Sequence, residues 1–295
     1  MTLSLATLCC AAAVFAAPSE VVLGPAESRK DLAELAASLA GRYDNSPQLE
    51  YLTGMKRGAS APPRLHLSVQ PVAGSSTAFT VEEHDGSDHD PVVRRGTLTL
   101  AADPTTRQPR MTLSDAPAGC EWRWSRRNGV WMGRPMGACR DLSAATPGLA
   151  GKTLWLGDEE FWLEAPGIAV MTELGRARAH ECYIAVKQRG GKPQIFTGLR
   201  LHDRGGSLQI VTADPQPRTL TLSLTRGMWP SNSGNNLVEL LILYLREAGP
   251  AGSDPPSLLG SGWATPESLR VGFGMEEEGV AEAKTANARC KRISP

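Results

Sequence analysis

The segment His84–Asp90 reads His-Asp-Gly-Ser-Asp-His-Asp and concentrates side chains that can bind metals. Imidazole and carboxylate groups are the ligand types that divalent cations use in proteins. The spacing matches no strong zinc or calcium pattern, and the segment lies between two strand-like runs. A solvated hairpin turn is therefore the favoured interpretation, and we predict no metal site.

Six cysteines offer a second chemistry, because paired cysteines form disulfides in oxidising compartments. Cys9 and Cys10 lie in residues 1–16, which are typical of a signal peptide: apolar, uncharged and too short to span a bilayer. The triplet Val14-Phe15-Ala16 fits the small-x-small rule for cleavage after Ala16. We predict a periplasmic or secreted protein, and a cytosolic N-terminal helix is the alternative.

The dipeptide Asn128-Gly129 predicts a tight β-hairpin, because it separates two strand-like runs. A two-residue turn places Cys120 and Cys139 diagonally on one face, with Cα atoms about 7–8 Å apart. This distance slightly exceeds the usual reach of a disulfide, and one bulge near Pro135 would close the gap. We predict a disulfide here, with two buried thiols as the alternative. The bond would leave a second pair, Cys182 and Cys290.

The same hairpin register places three aromatic side chains on one face, beside Gly133. These are Trp122, Trp124 and Trp131. Aromatic rings over a glycine pack well in a β-core, so core packing is the favoured interpretation. A flat apolar wall for a planar ligand is the alternative.

Short alternating runs at roughly ten-residue spacing predict an antiparallel sheet or barrel over most of the chain. Phe79 and Val81 form one such run. Residues 31–40 instead have the spacing of an amphipathic helix, with Asp31 as its N-cap. Residues 237–246 are apolar on all sides, and we interpret them as a strand.

The charge balance limits the partners that this chain would attract. Acidic and basic residues number 31 each, so no net charge draws the chain to nucleic acid or anionic lipid. The 295 residues, of which 41% are hydrophobic, suffice for one large or two modest domains. We predict no nucleic-acid partner and no membrane span.

An ordered set of motifs in residues 31–187 resembles the CpcT/CpeT family of phycobiliprotein chromophore lyases. The stretch Gly119–Cys139 resembles the family's Gly-Cys…Gly…Cys hairpin. Five further segments resemble family motifs in the same order, and they are Asn45–Gln48, Phe79–Glu83, Pro91–Arg95, Gly151–Phe161 and Thr172–Arg176. Residues 188–295 extend past the usual family length.

The resemblance implies a mainly β fold, an antiparallel calycin-like β-barrel with an N-terminal helix. The strand-like runs after residue 187 add a C-terminal β-rich extension. The resemblance also implies a tendency to form a homodimer. On this basis we divide the chain into signal peptide, leader, barrel domain, β-rich extension and tail, over residues 1–16, 17–30, 31–187, 188–278 and 279–295.

The family carries a linear tetrapyrrole, or bilin, to a phycobiliprotein cysteine and promotes thioether formation without a metal. The resemblance therefore implies a lyase with no cofactor, for which bilin is ligand or substrate. Glu82 would be a lumenal acid for the pyrrole nitrogens. Arg95 and Arg94 would pair with the propionates. Trp122 or Trp124 would stack on the rings.

Two non-catalytic interpretations stay open. One is an exported calycin-like binding protein for a small apolar or tetrapyrrole ligand. The other is a structural or interaction protein whose barrel is filled with side chains. A phycobiliprotein acceptor is expected only in an organism that makes one. For Glu82, a carboxylate at the barrel rim paired with Arg94 or Arg95 is the favoured interpretation.

Overall fold

The computed structural model describes residues 22–54, 61–86, 89–188, 192–231, 236–249, 256–274 and 286–293. The predicted signal peptide lies outside these residues. In chain order the described elements are α1 (Pro25–Leu39), β1 (Gly41–Asp44), α2 (Ser46–Gly54), β2 (His66–Pro71), β3 (Ala78–His84), β4 (Val92–Ala102), β5 (Pro109–Leu113), β6 (Cys120–Arg127), β7 (Val130–Gly137), β8 (Thr153–Leu156), β9 (Glu160–Glu164), β10 (Thr172–Arg176), β11 (Ala179–Lys187), β12 (Pro193–His202), β13 (Arg204–Val211), β14 (Thr219–Pro230), β15 (Leu237–Glu247), β16 (Ser257–Ala264), β17 (Arg270–Phe273) and β18 (Ala286–Arg292).

The described strands β1–β10 form a closed antiparallel barrel in which each strand pairs with its neighbours in sequence. The barrel closes where β1 pairs with both β2 and β10. Closure leaves no unpaired strand edge in this sheet. The prediction of a mainly β fold with an antiparallel barrel, an N-terminal helix and a β-rich extension is confirmed.

Side chains fill the interior of the barrel, and Trp122 and Trp124 are fully buried among them. Trp124 lies directly over Gly133, where an added Cβ would be 2.8 Å from the indole ring. Because both indoles are enclosed by other core side chains, neither forms an open wall for a planar ligand. The proposed stacking role is therefore wrong for both, and the core interpretation is correct.

The Asn128-Gly129 turn joins β6 to β7 as predicted, and both of its residues have the positive φ of a tight hairpin turn. A disulfide joins Cys120 to Cys139, whose Cα atoms are 4.4 Å apart. The predicted bulge near Pro135 is absent from the described register. Instead the chain turns at Gly137, which has a φ of 54°, and this turn brings the second cysteine back.

The described strands beyond the barrel form two four-stranded sheets, in the orders β12-β11-β18-β17 and β13-β14-β15-β16. Apolar side chains from both sheets pack into a second core. β11 falls within the predicted barrel domain but pairs with β12 and β18. The described part of the predicted loose tail forms β18, because Ala286, Ala288 and Cys290 are buried. A disulfide joins Cys290 to Cys182 directly opposite, with Cα atoms 4.0 Å apart.

The first helix differs from its predicted bounds. α1 begins at Pro25 after an N-cap at Gly24, so Asp31 lies inside the helix. A proline is favourable in the first helical turn, where its missing N–H has no partner to lose. Leu35 and Leu39 are buried and join α1 to the barrel core. Among the described helices, none is long and apolar enough to cross a membrane.

Candidate binding site at the barrel mouth

Alternation along β3 decides which acid points into the barrel. Phe79 and Val81 belong to the barrel core, so Glu83 shares their inward face and Glu82 lies on the outer face. Outside the barrel, Arg95 Nη2 lies 2.6 Å from Glu82 Oε1, and the arginine side chain is 65% exposed. Glu82 and Arg95 are therefore not lumenal, contrary to their prediction as acid and propionate partner. Glu82 and Arg95 form an ion pair at the barrel rim, as the other interpretation of Glu82 predicts.

Four charged side chains gather at one end of the barrel. Glu83 lies opposite Arg94 in the β3–β4 pair, with 3.5 Å between Oε2 and Nε. Arg94 Nη1 lies 3.6 Å from Asp115 Oδ2. Lys152 Nζ donates to two backbone carbonyls of the loop before β8, both at 2.6 Å. We call this group, Glu83, Arg94, Asp115 and Lys152, the mouth cluster.

Burial changes the proton affinities of two members of the mouth cluster. It raises the pKa of the Glu83 carboxyl above its ordinary value, and the positive charges of Arg94 and Lys152 only partly offset this rise. It also lowers the pKa of the Lys152 ammonium, against the opposing charge of Glu83. A carboxyl with a raised pKa is a better proton donor near neutral pH than an ordinary glutamate. Such shifts are frequent at functional sites, although structural ion pairs also produce them.

A cavity of about 790 Å³ opens beside the mouth cluster and is lined by Glu83 and Lys152. Arg64 adds a further cation to its wall. The volume lies within the range of about 300–1,000 Å³ that small-molecule sites occupy. The remaining wall is mainly apolar and includes Pro62, Pro63, Leu65, Leu163, Ile168 and Val170.

A second cavity, of about 830 Å³, lies between α2 and the outer face of β14 and β15. Glu50, Tyr244 and Arg246 contribute to its wall, and Arg64 lines this cavity as well as the first. Burial raises the pKa of Glu50, against a hydrogen bond from Thr225 and the charge of Arg64. This cavity lies outside the barrel and does not contact the mouth cluster, so we assign the candidate site to the first.

The sequence predictions found one member of the mouth cluster, Arg94, and missed the other three. Glu83 could have been found, because alternation from Val81 places it inward and its neighbour outward. Asp115 and Lys152 lie between strands, where no periodicity indicates which way a side chain points. Their positions follow from the barrel and not from any local pattern.

The His84–Asp90 segment joins β3 to β4, which agrees with the predicted hairpin turn. In its described part, His84 Nδ1 lies 3.0 Å from the backbone carbonyl of Asp90. His89 Nε2 lies 2.6 Å from the carbonyl of Arg200. These contacts tie the turn to itself and to β12.

The fold and the site together define an antiparallel β-barrel protein with a filled interior and a charged, partly apolar cavity at its mouth. No family model and no curated protein matches the chain. Among solved structures, the chain is similar to that of a T-type phycobiliprotein lyase, CpeT, from Prochlorococcus phage P-HM1. Sequence identity is 10% and the TM-score is 0.36, over 50% of this chain and 98% of that chain. The barrel is defined by the pairing of its own strands.

Proposed function

We propose that this protein is an exported, non-catalytic binding protein whose barrel mouth holds an elongated, mainly apolar ligand that carries a carboxylate. The observation that carries the proposal is the cavity of about 790 Å³ in which Glu83 and Lys152 adjoin an apolar wall. A linear tetrapyrrole has the required parts: propionates, pyrrole nitrogens and an extended apolar body. The interior of the barrel is filled, so the ligand would bind at the mouth.

The mouth cluster gives each part of such a ligand a partner. Lys152 uses two of its three N–H donors on backbone carbonyls, which leaves the third for a ligand carboxylate. Arg64 offers a guanidinium on the same wall, and its planar fork suits carboxylates. Glu83, with its raised pKa, faces the cavity as an acid for a ring nitrogen.

Titration with biliverdin tests the proposal, and we expect the visible absorption band to sharpen and shift to the red on binding. Lys152→Gln and Glu83→Gln should each raise the dissociation constant about tenfold or more, since each removes a charge-assisted hydrogen bond. Glu82→Gln and Arg95→Gln are matched controls, because they lie on the outer face of the same barrel wall. Both controls should bind like the wild type.

An unchanged biliverdin spectrum with wild-type protein would reject a tetrapyrrole ligand and favour the filled barrel as a structural module. Equal weakening by the inner and outer variants would reject the mouth cluster as the site. Circular dichroism of each variant establishes whether a loss of binding reflects a loss of fold.

A bilin lyase is the second candidate, favoured by the ordered motif resemblance in residues 31–187. In this case Glu83 would protonate the bilin while the sulfur of a phycobiliprotein cysteine adds to a vinyl-type carbon and the carbon–carbon π bond opens. The thiol proton would restore the Glu83 carboxyl. Incubation of the bilin-loaded protein with an apo-phycobiliprotein distinguishes the two candidates. A covalent adduct that Glu83→Gln abolishes, while bilin binding persists, would establish the lyase. Binding without any adduct would leave the non-catalytic function.

We also propose that the protein works in the periplasm or outside the cell. The described residues contain two disulfides, which are compatible with a non-cytoplasmic location. Recovery of Cys120 or Cys182 as a free thiol from freshly lysed, alkylated cells would contradict this location.

A further inference from the structure

Asp44, His66 and His202 meet where the barrel contacts the extension. Asp44 ends β1, His66 begins β2 and His202 ends β12. All three side chains are 0% exposed. One potential ligand atom from each lies within 4.8 Å of the other two. Imidazole nitrogens are common ligands of transition metals, and a carboxylate often orients such an imidazole.

His66 is oriented as a metal ligand would be. Its Nδ1 lies 3.0 Å from Asp44 Oδ2, so the carboxylate accepts the Nδ1 proton and the lone pair resides on Nε2. Within the described part of the chain, this buried Nε2 has no hydrogen-bond partner. A buried acceptor without a donor is costly, and a cation would satisfy it. Carboxylate–histidine pairs hold metal-binding imidazoles in this way.

His202 approaches from the extension and stacks on His66, with ring centroids 4.7 Å apart and planes inclined by 26°. His202 thereby brings an imidazole of the extension next to the His66 ring of the barrel.

Contacts that Asp44 and His202 already make would compete with a cation at this position. Arg64 Nη2 donates to Asp44 Oδ2 at 2.9 Å and already neutralises part of the carboxylate charge. The backbone N–H of Arg204 donates to His202 Nδ1 at 3.3 Å. If a cation bound His202 Nε2, the ring proton would move to Nδ1. The long hydrogen bond from the Arg204 N–H would then be lost.

We propose that His66 Nε2 and the imidazole of His202 bind one divalent transition-metal cation of the zinc class, while Asp44 orients the His66 ring from its Nδ1 side. The cation would tie the extension to the barrel. Zinc stands about 2.0–2.2 Å from nitrogen and oxygen ligands. Both imidazole nitrogens must therefore approach one cation to this distance when it binds. Since the site is fully buried, the cation enters as the chain folds.

Refolding with a defined metal tests this site in the full chain. The protein is unfolded in guanidinium without reductant, refolded with Zn²⁺ or Co²⁺, and desalted before elemental analysis. We expect about one equivalent of metal, as a single mononuclear site requires. We also expect a higher melting temperature, since the cation binds only the folded state. The Co²⁺ form should show visible d–d absorption.

Variants identify the ligands. His66→Gln and His202→Gln should lose the bound metal and the Co²⁺ absorption. Asp44→Asn should weaken Zn²⁺ binding about 10- to 100-fold, as loss of an orienting carboxylate does. Arg64→Gln should strengthen binding, because it removes the competing cation from Asp44. His89→Gln is the matched control in the His84–Asp90 segment and should bind like the wild type.

Three results would overturn the metal site. The first is wild-type protein that refolds without bound Zn²⁺ or Co²⁺. The second is full metal content in both histidine variants. The third is weaker binding by Arg64→Gln, which would show that the arginine supports the cluster as a structural ion pair. Arg64→Gln keeps both imidazoles, so its metal binding can be measured even if the histidine variants fail to fold.

Discussion

Replacing Cys182 and Cys290 together with alanine is expected to lower the free energy of unfolding by about 4–5 kcal/mol. The disulfide joins residues with a sequence separation of 108. The entropy that the unfolded chain gains when such a bond is removed increases with loop length. The bond joins β11 directly to β18 inside the second core. Guanidinium unfolding of the double variant and the wild type, both without reductant, measures the difference.

The second disulfide provides the matched control. Cys120 and Cys139 are separated by 19 residues, so replacing both with alanine should cost about 3 kcal/mol on the same loop-entropy basis. Both bonds lie in apolar cores, so the two double variants lose similar amounts of side-chain packing. The length of the closed loop is the main difference between them. A larger loss from the short-loop pair would show that strain or residual structure, and not loop entropy, controls these bonds.

The substitution Trp122→Ala is expected to destabilise the protein by about 3–5 kcal/mol, because it opens a large cavity in a packed core. The indole is fully buried. Its Nε1 donates to the Lys152 carbonyl at 2.9 Å, and so it also holds the backbone beneath the mouth cluster. We therefore expect weaker biliverdin binding in the fraction that folds. Chemical unfolding and the biliverdin titration measure the two effects.

Two controls separate packing from the hydrogen bond. Trp122→Phe keeps most of the ring volume and should lose about 1 kcal/mol with the hydrogen bond. Trp155→Ala removes an indole from the outer face of β8, where it bonds Glu164, and should cost about 0.5 kcal/mol or less. Equal destabilisation by Trp155→Ala and Trp122→Ala would contradict the assignment of Trp122 to the core.

In this protein the residues that stabilise the barrel differ from those that would bind a ligand. Core side chains from every wall occupy the interior, so the barrel acts as a rigid support. The charged groups lie at its mouth, on strands and loops that the support holds in place. A fold of this kind hosts unrelated functions, so the assignment of function depends on the mouth cluster and its cavity.

Local sequence patterns predicted local features well. The Asn128-Gly129 turn set the register of its hairpin, and that register correctly placed Trp122 and Trp124 on one face with the neighbouring cysteine. The alternation of Phe79 and Val81 places Glu82 on the outer face, so the lumenal role that the family resemblance implies for Glu82 is wrong. The same alternation assigns the inward position to the next residue, so this part of the site was predictable from the sequence.

Other parts of the site depend on contacts between distant residues. The sequence by itself determined most of the strands and the tight hairpin, because each depends on residues a few positions apart. The Cys120–Cys139 disulfide also needed the turn at Gly137, which the hairpin register did not predict. Only the tertiary structure brought His202 against His66, and Lys152 beside Glu83. Closure of the barrel and docking of the extension decide those distances, since they depend on how whole sheets pack. The spacing of residues along the chain does not encode them directly.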